Sequence, residues 1–276
     1  MVRSNVLRTL QQRCGVEIVG ECMEVRCDEA GGLGMFALRE LEKSEVVARI
    51  PWSSVMGPEG VSDPYLEVAA KILSARVGRG SDAWCAIADC VDWNSLRRHP
   101  IAMAKRQETV LHPLLKDPDF KATPAFQQQF KATLESKLED VASDVEDLKT
   151  LSGCADDDKC LEAILATQSR AFNLSHLRPG AVPCFVPLAD TFNHPSRSSL
   201  SDEKQFVQVL TRHANVFLTQ DDDSSLCMRA PRDLAVNAGD QLFFWYGDGG
   251  LRAQTPSDFH QGEIEFYLQY GFSLWD

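Results

Sequence analysis

The feature that most constrains this chain is the interruption of strand-like sequence by a long helical stretch. Residues 16–56 place Val25, Phe36, Val46, Val47 and Ile50 in short β-branched or aromatic runs, punctuated at Gly31-Gly32 and Lys43-Ser44. That is the pattern of short strands joined by turns. From residue 64 to about 174 the period becomes helical. Pro64-Tyr65-Leu66 opens an apolar-periodic segment through Val77, and Thr123-Pro124 reads as an N-cap with proline at the first helical position, starting a helix through Leu148. Within it Phe126, Phe130, Leu134, Leu138, Val141, Val145 and Leu148 recur at spacings of three and four, one amphipathic stripe. Asp158 is placed to cap a further helix running to Phe172. Strands return at 206–210, 215–219, 226–229 and 241–246, with 221–225 as a hairpin turn, and a last helix covers about 262–269. Residues 196–201 and 249–261 read as flexible loops. An insertion of roughly a hundred residues is too long for a loop. The two flanking β halves are therefore expected to pack together in an α+β fold.

Charge and cysteine usage narrow the function classes. Forty acidic residues against 28 basic give a formal net charge of −12. That sign argues against a direct nucleic-acid binder, which needs clustered Lys and Arg. It suits either solubility alone or long-range steering of a basic protein partner. The nine cysteines are odd in number, scattered, and contain no Cys-x-x-Cys pair. With no secretory signal in residues 1–10, they read as reduced thiols of an intracellular protein, cytoplasmic or nuclear, with no metal site expected. No window is apolar for long enough to span a membrane.

Three segments carry candidate chemistry. In Glu29-Ala30-Gly31-Gly32-Leu33-Gly34-Met35-Phe36 the glycines let backbone approach a ligand. The segment leads into another strand and not a helix, so it is no dinucleotide fingerprint. Val186-Pro187-Leu188-Ala189-Asp190-Thr191-Phe192-Asn193-His194 ends an apolar run in Asp, Asn and His. These lie too close together for a metal site and lack a nucleophile elbow, leaving a turn or a ligand site. Gly239-Asp240-Gln241-Leu242-Phe243-Phe244-Trp245-Tyr246-Gly247 and Tyr267-Leu268-Gln269-Tyr270-Gly271-Phe272 each place a Tyr-Gly pair after an aromatic-rich run, phenols at element ends.

In this order, with Ser169-Arg170-Ala171-Phe172 between the first two, these segments resemble the SET-domain methyltransferases. The likeness is to the branch typified by the RuBisCO large-subunit lysine methyltransferase, which also holds non-histone lysine methyltransferases and an actin histidine methyltransferase. It runs over nearly the whole chain. It implies a SET fold of short β-sheets with a pseudoknot-like C-terminal closure. Residues 1–57 would be the N-terminal SET half, 58–174 the helical insertion, and 175–276 the C-terminal half with the active site.

The resemblance further implies S-adenosylmethionine as cofactor and methyl transfer to a lysine, or a histidine, of a protein substrate. Gly32, Leu33 and Gly34 would cradle the methionine part of the cofactor. Arg170 would stand near its carboxylate, where a guanidinium offers a fixed fork of donors. Asn193 and His194 would bind the amino group and adenine, and Asp190 would position them. Tyr246 would be the principal catalytic tyrosine and Tyr270 the second. Phe243, Phe244 and Trp245 would supply channel walls, though strand alternation turns some of them to the core. Three departures from the family pattern stand out: the apparent insertion 249–261, Glu263 where asparagine is frequent, and an end at Asp276 without a C-terminal substrate-binding domain. The last implies a truncated chain, or recognition through the insertion or a partner protein. A noncatalytic SET-like interaction module is the alternative.

Overall fold

The computed structural model describes residues 5–27, 33–60, 63–113, 124–192, 216–222, 224–231, 235–244 and 256–271. In chain order these form α1 (Asn5–Cys14), β1 (Glu17–Ile18), β2 (Met23–Cys27), β3 (Leu33–Ala37), β4 (Val46–Pro51), α2 (Pro64–Arg76), α3 (Asp82–Cys90), α4 (Trp93–Leu96), α5 (Pro100–Lys105), α6 (Pro124–Ser152), α7 (Asp157–Arg170), β5 (Phe217–Asp222), β6 (Ser225–Arg229), β7 (Gln241–Leu242) and α8 (Pro256–Tyr270). They group into two compact units. One draws on 1–91, 171–195 and 208–246, the other on 92–170, 196–207 and 247–276.

The first unit is built on strand pairs that join the two ends of the chain. A four-stranded antiparallel sheet has the order β1-β4-β6-β5, and a three-stranded one the order β2-β3-β7. Ile50 of β4 lies opposite Leu226 of β6, and Met35 of β3 opposite Leu242 of β7. The sequence expectation that the two β halves pack together is thus met by direct pairing. In β6 the consecutive residues Leu226, Cys227 and Met228 are all fully buried. This marks β6 as a central strand covered on both faces. The turn expected at Lys43-Ser44 is present, with Ser44 at φ +60. Glu45 N–H donates to the Glu42 carbonyl across it at 3.1 Å. On the same unit α1 packs on α3, where Arg13 bridges Asp82 and Asp89 at 2.8 and 2.7 Å.

The second unit is helical. α6 runs 29 residues with no glycine or proline after its first position, and buries Phe126, Phe130, Val141, Val145 and Leu148 of the expected stripe. Leu134 and Leu138 are half-buried. Gly153, at φ +68, stops it. Its N–H donates to the Lys149 carbonyl at 2.9 Å, the left-handed C-terminal closure that glycine adopts without a Cβ penalty. α6 packs against α5, α7 and α8.

Several local expectations are corrected. The cap of α7 is Asp156 and not Asp158: Oδ1 of Asp156 accepts from the Lys159 N–H at 3.1 Å, the third position of the helix, which is where a capping carboxylate reaches. That helix ends at Arg170, not Phe172. The hairpin expected at 221–225 joins β5 and β6 antiparallel, but its turn is narrower than read, because β5 continues to Asp222 with a bulge between Gln220 and Asp222 and β6 begins at Ser225. α8 begins at Pro256, inside the stretch read as a loop, because proline suits a first helical turn. β7 is regular only over Gln241–Leu242. α1, to which the sequence reading assigned no element, buries Leu10 and Cys14. The expected strand at 206–210 lies outside the described residues. Among the described residues no helix is long and apolar enough to cross a membrane.

Two buried histidines make the helical unit sensitive to acid. His99 is 3% exposed, and burial lowers its pKa to about 4. His112 is fully buried between the rings of Phe126, Phe130 and Tyr267, and burial likewise lowers it to about 4. An unfolded histidine takes up its proton near pH 6.5, so between that value and about 4 the unfolded chain binds more protons and stability falls as pH falls. The loss is on the order of 3 kcal/mol per histidine across that window. Thermal melts from pH 7.5 to 4 are expected to show this decline, and the double variant His99→Asn/His112→Phe is expected to flatten it.

Candidate active site

The segment 182–192, which carries Asp190, is held by backbone on both sides. Val182–Pro183 is a cis peptide. Cys184 exchanges backbone hydrogen bonds with Phe172 at 2.9 and 2.7 Å, and Phe185 with Met56 at 2.8 and 3.0 Å. The chain is thereby pinned on both sides. It then makes a tight turn, with the Ala189 N–H donating to the Val186 carbonyl at 3.2 Å. Pro187 takes the position where a fixed negative φ is wanted, and Leu188 sits at φ 76, ψ −39. A turn of this type needs positive φ at its third residue and normally has glycine or asparagine there. A non-glycine residue there costs on the order of 1–3 kcal/mol of strain. Leu188 is 1% exposed, so burial of its side chain offsets that strain.

The strained turn launches the short 3-10 helix Ala189–Thr191, closed by the Thr191 Oγ1 hydroxyl donating to the Leu188 carbonyl at 2.6 Å. Asp190 stands in it, half-buried. Its charge, after burial, contributes to pushing the nearby Cys90 thiol up to about 12. The 3-10 helix touches β3. In β3 Leu33 pairs with Cys27 and Gly34 with Arg26, so both belong to a hydrogen-bonded strand and Gly34 is buried. Among the site residues expected in the first unit, Leu33, Gly34 and Asp190 are thus carried by elements in contact. Gly32, Asn193, His194 and Tyr246 lie outside the described residues.

Two further motif segments meet in this unit. The rings of Phe172 and Phe244 stand edge to face at 5.0 Å, and Phe244 forms a parallel bridge with Val216. Phe243 and Phe244 are both half-buried, and Trp245 lies outside the described residues.

Arg170 and Tyr270 belong to the helical unit, each as the last residue of its helix. α7 and α8 pack together, and near their ends the Gln269 side-chain amide donates to the Gln168 carbonyl at 3.3 Å. Arg170 is half-buried and its Nη2 donates to the Ser95 hydroxyl of α4 at 3.2 Å. Tyr270 is half-buried, its ring 4.6 Å from that of Phe266 one helical turn earlier. Gly271, at φ +81, closes the helix, its N–H donating to the Tyr267 carbonyl at 2.9 Å. Glu263, noted in the sequence for its place in the pattern, is fully buried on α8.

Sequence reasoning missed His99, which contacts the backbone around Tyr270. Its Nε2 is 3.3 Å from the Gln269 carbonyl. No motif marks it, because its partners are far away in sequence.

No family model matches this chain, and no curated protein matches it. Solved structures do. The SET domain of LSMT bound to lysine and AdoHcy is 17% identical, covers 98% of this chain and 56% of its own, and superposes with a TM-score of 0.61. The same SET domain bound to methyllysine and AdoHcy is 20% identical over the same shares, with a TM-score of 0.60. Rubisco LSMT bound to sinefungin and monomethyllysine is 18% identical over 98% of this chain and 55% of its own, at 0.58. The chain spans a little over half the length of these structures, and its fold is that of the SET domain.

The turn at Leu188 gives a direct test. Leu188→Gly removes the strain but also a buried side chain, and large-to-small changes in a core cost about 2–5 kcal/mol. The variant is expected to be less stable by up to about 4 kcal/mol in urea unfolding, since relief of about 1–3 kcal/mol of strain offsets only part of the lost packing. A variant more stable than the parent would show that strain outweighs packing at this turn.

Proposed function

We propose that this chain, which has the SET-domain fold, is an S-adenosylmethionine-dependent protein methyltransferase acting on a lysine side chain, with histidine as the close variant. The observation that carries the reading is the fold match over 98% of the chain to SET domains whose solved forms hold lysine or methyllysine together with AdoHcy. The order of the sequence segments around Gly34, Arg170, Asp190, Tyr246 and Tyr270 supports it.

The donor set suits a zwitterionic, adenine-bearing cofactor. Taken one by one, Gly34 brings buried backbone with no Cβ, Arg170 a half-buried guanidinium suited to a carboxylate, and Asp190 a half-buried carboxylate on a 3-10 helix that contacts β3. Gly32, Leu33, Asn193 and His194 complete the proposed set. The bound cofactor supplies a methyl group on a positively charged sulfur, an electrophile that needs no metal or strong acid.

The chain's own residues then have a limited task. They hold a neutral amine in line with the methyl–sulfur bond and keep water away. Bound in this set, the cofactor would supply the methyl group to the nitrogen, and its sulfur would retain the electron pair of the bond given up. A lysine near its ordinary pKa of about 10.4 is mostly protonated in water, so an apolar channel that disfavours charge raises the reactive fraction. The proton leaves the amine before transfer and goes to solvent. Tyr246 and Tyr270 would orient the amine through their phenol oxygens, with Phe243, Phe244 and Trp245 as walls. The net charge of −12 favours a basic protein segment as substrate, and a partner protein would extend the surface that recognises it.

Calorimetric titration with S-adenosylmethionine followed by a methyl-transfer assay on Lys-rich protein substrates tests the reading. Micromolar binding is expected, weakened about tenfold or more by Arg170→Ala through loss of a charge-assisted contact. Tyr246→Phe is expected to cut turnover by about a hundredfold while leaving cofactor affinity unchanged. Binding without transfer to any protein would favour a noncatalytic SET-like module, and absence of binding by folded protein would remove the methyltransferase reading.

A further inference from the structure

His99 occupies an unusual position for a residue that no motif identifies. It is the N-cap of α5: its Nδ1 accepts from the Ile101 N–H at 3.3 Å. An accepting Nδ1 places the ring proton of the neutral imidazole on Nε2. Nε2–H then faces the only kind of partner it can use, the carbonyl oxygen of Gln269 at 3.3 Å. The two nitrogens thus have opposite roles, and one ring joins the start of α5 to the end of α8. Burial, which lowers the pKa to about 4, keeps the ring neutral at neutral pH, and the two hydrogen bonds then select the tautomer.

The ring also lies against the residue that follows Tyr270. A Cβ on Gly271 would come within 2.9 Å of His99 Cδ2 and 3.7 Å of Nε2, so the glycine backbone lies directly against the imidazole. Gly271 is therefore constrained twice, by its φ of +81 and by the ring. Residue 269 is hydrogen-bonded to His99 and residue 271 is packed on it, which leaves Tyr270 held between two points fixed by one side chain.

We propose that His99 is a positioning residue for Tyr270, fixing the backbone on either side of it and thereby the placement of its phenol. The inference rests on the functional reading above for the use to which that phenol is put, but the placement itself is independent of it. A phenol that must orient an amine in line with a methyl group tolerates little displacement, since misplacement of about 1 Å can cost a hundredfold in rate. Nothing else in the sequence of α5 calls for a buried histidine there, because Ser, Thr, Asp or Asn would cap the helix equally well.

Two substitutions separate the two nitrogens. In His99→Asn the amide oxygen stands about where Nδ1 does and keeps the cap, but the side chain is too short to reach Gln269. In His99→Gln the amide nitrogen stands about where Nε2 does and keeps the tie, while the cap is lost. The readout is fluorine NMR of protein labelled with 3-fluorotyrosine, whose four tyrosines are Tyr65, Tyr246, Tyr267 and Tyr270. Tyr270→Phe assigns the relevant resonance.

His99→Asn is expected to shift or broaden the Tyr270 resonance, leave that of Tyr65 unchanged, and lower kcat about tenfold or more with the KM for S-adenosylmethionine unchanged. His99→Gln is expected to restore the resonance and most of kcat despite a lower melting temperature. An unmoved Tyr270 resonance in His99→Asn overturns the proposal, as does an equal effect of both variants that merely follows melting temperature. A moved resonance with unchanged turnover overturns Tyr270's part in the reaction and reduces His99 to a structural tie. If the parent protein transfers no methyl group, the fluorine spectrum alone still decides whether His99 places Tyr270, so the two failures are told apart.

Discussion

The pairing of β4 with β6 is the constraint on which the first unit depends. It sets Ile50 opposite Leu226, so the chain leaves the strand, runs through the intervening helices and returns to close the sheet. Closing a loop of that length costs roughly 5 kcal/mol in chain entropy. The compensation is local to the strands: Val47, Ala48, Ile50, Leu226, Cys227 and Met228 are all fully buried, and larger apolar side chains contribute about 1.5–3 kcal/mol each. Once β4 and β6 are joined, β1 and β5 have edges to add to, and β3 and β7 are joined in the same way in the second sheet. The turn bearing Asp190 rests against β3, so one of the proposed cofactor contacts inherits its place from a strand pairing that links the two ends of the sequence.

The helical unit follows a different economy. α6 supplies a long apolar stripe against which α5, α7 and α8 dock, and helix ends carry the polar detail. Asp156 and Gly153 divide α6 from α7, and His99 fastens α5 to α8. Arg170 and Tyr270 both stand at C-terminal ends. There the helix stops constraining the backbone, and a neighbouring element must take over. For Arg170 the neighbour is α4, through the Ser95 hydroxyl, and for Tyr270 it is the His99 ring with Gly271. The proposed chemistry, which asks for placement more than for acid strength, suits residues held in this manner.

Much of this was legible in the sequence because it depends on local period and local stereochemistry. The stripe from Phe126 to Leu148, the proline-led start of α2, the turn at Ser44 and the strand 226–229 all follow from spacing and turn residues. The SET-type fold was legible from five short segments in order, and superposition on solved SET domains agrees with it. Errors fell where two local rules competed. Three aspartates in a row each could have capped α7, and only the geometry of the first turn selected Asp156. The hairpin turn in the acidic run was read too wide, since β6 offers a strand partner as far as Asp222.

By itself, then, the sequence determined the fold class, the presence of helices between the strand-forming parts, and the order of the segments that carry candidate chemistry, since each is written in residues close together along the chain. Tertiary structure alone decided which strands pair, that a buried leucine would occupy the positive-φ position of the turn before Asp190, and that His99 would meet Gln269 and Gly271. Those outcomes depend on burial and on contacts between residues far apart in sequence. No local pattern encodes them, because a side chain's energy at such a place is set by what the rest of the chain brings to it.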